Sequence, residues 1–157
     1  MQNLTQVTET VISYKSKQKA SERPAITRSQ DLAKIFASFP TMNEFIEYKE
    51  VVLLIALNRA NKVLSITKLS EGGCSSSVVD LKQMFQSLIL QNASAFALGH
   101  NHPSGNLTPS ESDIILTRKA KYCGKLLDMT MLDHIILSPD FTTGSSDYYS
   151  FSDEGRI

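Results

Sequence analysis

Seven consecutive apolar residues, Val51–Leu57, constrain the fold more than any other stretch of this chain. A short, β-branched-rich run bounded by turn residues reads as a strand that is apolar on both faces, so both faces need cover. Asn58-Arg59-Ala60-Asn61 supplies a turn and residues 63–69 alternate, which predicts a hairpin with one deeply buried strand. Helices supply the cover. Residues 29–39 place Leu32, Ile35, Phe36 and Phe39 at helical spacing and stop at Pro40, and residues 42–48 add a further turn. After a loop marked by Gly72, Gly73, Ser75, Ser76 and Ser77, a second amphipathic helix carries Val78, Leu81, Met84, Phe85, Leu88 and Ile89 and closes at Asn92. Residues 94–98 predict a short buried strand, and residues 109–124 a helix ending in Arg118, Lys119, Lys121 and Lys125. Residues 126–137 predict one or two strands, 139–146 a loop, and 148–157 a closing strand or short turn. This order predicts the α/β class: a mixed sheet between helical layers, a three-layer α-β-α sandwich.

The length suits one domain, placed at residues 29–157 behind an N-terminal arm of residues 1–28. Within the arm, residues 8–14 form a candidate edge strand, and Lys15, Lys17, Lys19 and Arg23 form a solvated basic run ended by Pro24. Sixteen basic residues balance sixteen acidic ones, which argues against broad nucleic-acid binding. No apolar run approaches a membrane span and no signal-peptide pattern opens the chain, so no membrane partner and a cytoplasmic location are expected. Cys74 and Cys123 lack paired spacing and read as free thiols.

The chemistry concentrates in residues 98–113. His100 and His102 are two apart, so in extended backbone they point the same way, just past the end of the 94–98 strand. Asp113 follows His102 by eleven positions. Thr108 reads as an N-cap, Pro109 as the first helical residue and Glu111 as the capping-box partner, which sets Ser110 and Asp113 on one helical face. Two imidazoles, one carboxylate and an open fourth position form the ligand set of a catalytic zinc ion. Gly99 and Gly105 are expected to let the loop turn tightly, and Asn101 to point away from the ligands.

The run His-x-His-Pro followed by Ser-x-x-Asp resembles the JAMM (MPN+) metalloprotease motif. More closely, His100-Asn101-His102-Pro103-Ser104-Gly105, Pro109-Ser110 with Asp113-Ile114, and Leu132-Asp133-His134-Ile135-Ile136 resemble the RadC family, over residues 31–155. The resemblance implies a cytidine-deaminase-like JAB/MPN core, one zinc per chain on His100, His102 and Asp113, and Ser110 as oxyanion stabiliser. It implies a glutamate before the apolar strand as general base. The register set by Leu57-Asn58 assigns Glu50, with Glu47 next and Glu44 a distant third. His134 is expected beside the site without ligating.

The function this implies is a zinc-dependent metallopeptidase or isopeptidase acting on a peptide or isopeptide amide. The alternative is a nucleic-acid-binding factor of DNA repair or recombination with a structural or vestigial zinc, supported by the basic arm and the Arg118–Lys125 face. A nucleobase deaminase would use His-x-Glu with Pro-Cys-x-x-Cys, and the chain has neither. An exposed strand edge is a candidate homodimer contact. Two departures from the resemblance stand out. Asp80-Leu81-Lys82-Gln83 replaces a His-Pro-Arg-Glu-like run, which alters the substrate contacts implied there. Residues 1–28 are too short for the family's upstream helix-hairpin-helix segment, so the catalytic domain alone is expected.

Overall fold

The computed structural model describes residues 19–72, 79–145 and 147–157. The candidate edge strand at 8–14, Lys15, Lys17, Cys74 and Val78 lie outside them. The elements run α1 (Ser29–Ser38), α2 (Pro40–Phe45), β1 (Val51–Leu57), β2 (Val63–Glu71), α3 (Leu81–Leu90), β3 (Ala95–Asn101), α4 (Glu111–Leu126), β4 (Thr130–Leu137) and β5 (Tyr148–Ser150). Among the described residues, five strands form one sheet in the order β2-β1-β3-β4-β5. Only β3 and β4 are parallel; the other neighbours are antiparallel.

β1 lies next to the centre and is buried along its whole length. Its alternate side chains divide between two cores. Val51, Leu53, Ile55 and Leu57 pack with Leu32, Ala33 and Phe36 of α1 and Met42 of α2. Leu54 and Ala56 pack with Met84, Phe85 and Leu88 of α3 and Ala120 of α4. The α/β class and the three layers are therefore as expected.

The differences are local. Pro40 does not end the helical region: it takes the first position of α2, where its missing N–H costs nothing. Residues 126–137 contain one strand, and residues 139–143 of the expected loop form a 3-10 turn. Asp80 is the N-cap of α3, its carboxylate accepting the Lys82 and Gln83 amides, so the departure at residues 80–83 starts a helix. Gly99 does not turn a loop. It sits inside β3, where an added Cβ would lie 2.5 Å from the Phe36 ring. Gly105 does turn the chain, at φ +78°.

A parallel pair needs a crossover, and α4 provides it. The carboxyl end of β3 and the amino end of α4 are thus linked by one short loop. β1 runs the other way, with Val52 opposite His100, so its amino end reaches the same edge.

Candidate metal centre

β3 continues through His100 to Asn101, beyond the expected strand end, and the His102 amide still donates to the Leu137 carbonyl at 2.9 Å. The backbone therefore stays extended across both histidines, and their rings share one face of the sheet. His100 is buried and His102 is half-buried.

The helix begins later than its sequence suggests. Ser110, not Thr108, is the N-cap, and Asp113, not Glu111, is the capping-box partner. The Ser110 amide donates to Asp113 Oδ2 at 2.7 Å, and its hydroxyl donates to the same oxygen at 2.6 Å. The Asp113 amide donates back to Ser110 Oγ at 3.2 Å. A carboxylate at this position also receives the positive end of the helix dipole.

Three predicted ligands come together. His100 Nε2 lies 3.3 Å from Asp113 Oδ1, His102 Nε2 lies 3.6 Å from Asp113 Oδ2, and the two Nε2 atoms are 3.0 Å apart. One ligand atom from each falls within 4.8 Å of the others. Burial raises the Asp113 carboxyl, but its contacts with His100, His102 and Ser110 outweigh burial and hold it well below the usual carboxylate range. Burial lowers His102, yet the protonated ring would gain a hydrogen bond to Asp113, the Asn106 carbonyl and the charges of Asp113 and Glu50, which together raise it.

The donor chemistry fits a divalent cation. His102 Nδ1 faces the Asn106 carbonyl, which only accepts, so the neutral ring keeps its proton on Nδ1 and turns the Nε2 lone pair toward the cluster. Two imidazole nitrogens and one carboxylate are the protein ligands of a catalytic zinc site, whose fourth position is kept for water or substrate.

Glu50 is half-buried one residue before β1, and its charge acts on His102. Continuing the β1–β3 register by two residues sets Glu50 opposite His102. Glu44 and Glu47 are exposed on and just after α2.

Asn101 points to the other face, as its place between the histidines implies, but it is not idle. Its Oδ1 accepts the Val51 amide at 2.8 Å, and its Nδ2 donates to the carbonyls of Ile46 and Lys49 at 2.9 and 3.0 Å. It therefore pins the 46–51 segment, which carries Glu50, to the strand that carries the histidines.

Two further residues back the cluster. His134 is fully buried; its Nε2 is 2.9 Å from His100 Nδ1, and its ring stacks on Phe151. Thr117 Oγ1 lies 2.7 Å from His134 Nδ1 and donates to the Asp113 carbonyl at 2.6 Å. Reasoning from the sequence missed Thr117, although its place one helical turn after Asp113 was a usable signal. Asp133 faces away from the cluster. Its carboxylate accepts from Ser150 Oγ and from the amides of Ser152 and His134, and burial raises it despite those bonds.

A family model described as the RadC-like JAB domain matches residues 26–156. The chain belongs to that family. Its mixed sheet between helices is consistent with a JAB/MPN-type domain. A UPF0758 protein of Flavobacterium johnsoniae is 39% identical over 130 residues, covering 83% of this chain and 52% of the relative. A UPF0758 protein of Staphylococcus aureus strain NCTC 8325 is 39% identical over 117 residues, 74% of this chain and 52% of the relative. One from Clostridium perfringens is 37% identical over 112 residues, 71% and 48%. This RadC-like JAB domain thus spans about half the length of the curated relatives it matches. Among its described residues, no helix is long and apolar enough to cross a membrane.

Proposed function

We propose that this RadC-like JAB domain is a zinc-dependent amide hydrolase of the metallopeptidase or isopeptidase type. The observation that carries the reading is the convergence of His100 Nε2, His102 Nε2 and the Asp113 carboxylate within 4.8 Å at the carboxyl end of β3. These three residues would hold the ion. A zinc ion there supplies Lewis acidity and lowers the pKa of a coordinated water to about 7.

The protein's own groups do the rest. Glu50 takes the proton of the attacking water as general base and returns it to the leaving amine, the role its position opposite His102 supports. Ser110 has one hydroxyl proton, now directed at Asp113. To serve the oxyanion it must turn that proton toward the substrate, while its amide keeps hold of Asp113.

The test begins with metal analysis of purified wild type, His100→Ala and Asp113→Ala. About one zinc per wild-type chain, lost in both variants, is expected. Peptide and isopeptide substrates are then screened with Glu50→Gln as the inactive, zinc-loaded control. No zinc in the wild type after reconstitution overturns the proposal, and so does hydrolysis that survives Glu50→Gln.

A further inference from the structure

We infer that Thr117 and His134 form a hydrogen-bond relay that locks the His100 proton on Nδ1 and so commits His100 Nε2 to the metal before any metal arrives. The inference rests on His100 being a metal ligand and adds two positioning residues to that site.

The argument is a count of protons. Thr117 has a single hydroxyl proton, and it goes to the Asp113 carbonyl, an acceptor with no proton to offer in return. Toward His134 the threonine therefore presents only lone pairs, so His134 Nδ1 must be the N–H donor across their 2.7 Å contact. A second proton on His134 would make it a cation in full burial, stacked on Phe151, with only a hydroxyl and an imidazole against its nitrogens. His134 Nε2 is then a lone pair and accepts Nδ1–H from His100 at 2.9 Å. Neutral His100 is left with its lone pair on Nε2, the atom aimed at Asp113 and His102.

Two consequences follow. First, the relay runs from the backbone of one ligand to the ring of another: the Asp113 carbonyl, Thr117, His134 and His100. It spans α4, β4 and β3, so it ties His100 to the Asp113 backbone through the tertiary structure rather than through the connecting loop. Second, His102 is fixed in the same sense by Asn106, so two Nε2 lone pairs face each other at 3.0 Å. Neutral rings in those tautomers cannot hydrogen-bond to each other, and a positive charge between them relieves the repulsion. Partners that orient a ligating histidine commonly contribute 10–100-fold to metal affinity.

The test has a readout that needs no metal. In metal-free wild type, nitrogen-15 NMR of the imidazoles should show His100 and His134 both protonated on Nδ1. Thr117→Val keeps the volume and removes the hydroxyl; it should shift His100 toward the Nε2–H form and weaken zinc binding about 10–100-fold in a chelator competition. Thr117→Ser should restore both, and His134→Gln, which can accept from His100 and donate to Thr117, should retain more affinity than His134→Leu. If His134→Leu does not fold, Thr117→Val decides. An Nε2–H tautomer for His100 in the wild type overturns the relay, as does a folded Thr117→Val that binds zinc as tightly as wild type. If wild type binds no zinc, the hydrolase proposal fails while the tautomer measurement still judges the relay.

Discussion

Replacing Asn101 by alanine removes three hydrogen bonds from a site with no exposed surface. At a net ~1 kcal/mol for each bond, the loss is about 3 kcal/mol. It grows if the buried Val51 amide finds no new acceptor. In a domain of this size each kcal/mol lowers Tm by roughly 2–4 °C, so a drop of about 6–12 °C is expected. Urea unfolding followed by circular dichroism measures it directly. Asn101→Asp sharpens the test. One carboxylate oxygen keeps the Val51 bond, but the other meets two carbonyls where an amide donated. The folded state therefore prefers the protonated acid, and its pKa rises above the ordinary carboxylate value. Stability is then greatest at low pH and falls as pH climbs through the folded pKa, the reverse of an ion-paired aspartate. A loss below about 1 kcal/mol for Asn101→Ala, or an Asn101→Asp variant indifferent to pH, would refute the claim that this side chain holds the Glu50 segment to β3. Zinc binding should survive in both variants, because none of the ligands is touched.

Gly99→Ala drives a Cβ to 2.5 Å from the Phe36 ring, which is fully buried and cannot swing away. It should cost about 1–3 kcal/mol by chemical denaturation and much less in a Phe36→Leu background, a coupling that a double-mutant cycle reads. Asp31 accepts from the Thr27 hydroxyl and amide and the Arg28 amide, with the Thr27 hydroxyl the largest influence, and is held at about 2 against an ordinary 3.8. On acidification the unfolded chain is protonated first, so this contribution is complete above pH 3.8 and is lost toward pH 2; Asp31→Asn should flatten that limb of an acid titration. Ser110→Ala removes the α4 cap and should cost about 1 kcal/mol in stability, read by thermal melting. Zinc at one hundred times its Kd should stabilise wild type by about 2.7 kcal/mol and leave Asp113→Ala unmoved; equal shifts in both would place the ion elsewhere.

Much of this was legible in the chain because it is local. The apolar run 51–57 can only be a strand covered on both faces, and the spacing of Leu32 and Phe36 or of Met84 and Leu88 can only build helices to cover it. The convergence of the candidate ligands was legible for the same reason: two histidines at i and i+2, and an aspartate in a first helical turn, come together once the backbone conformation is known. The start of α4 lies two residues later than its sequence suggests because two overlapping cap patterns, Thr108 with Glu111 and Ser110 with Asp113, share the same spacing, and local spacing does not rank them.

What only the tertiary structure decided depends on how strands pair. Gly99 is small because a helix 60 residues earlier in the chain lays Phe36 on it. Asn101 has its role because the end of α2 and the start of β1 bring two carbonyls and an amide to it. The clearest case is β4. Its register against β3 shifts between Phe96 and Ala97, so Met131 packs on the α3–α4 side while Ile135 and Leu137, of the same parity, pack on the α1 side. That one-residue shift turns His134 toward His100 and Thr117. With a period of two, one extra residue reverses every side chain beyond it, and spacing within a strand carries no sign of the partner that imposes the shift.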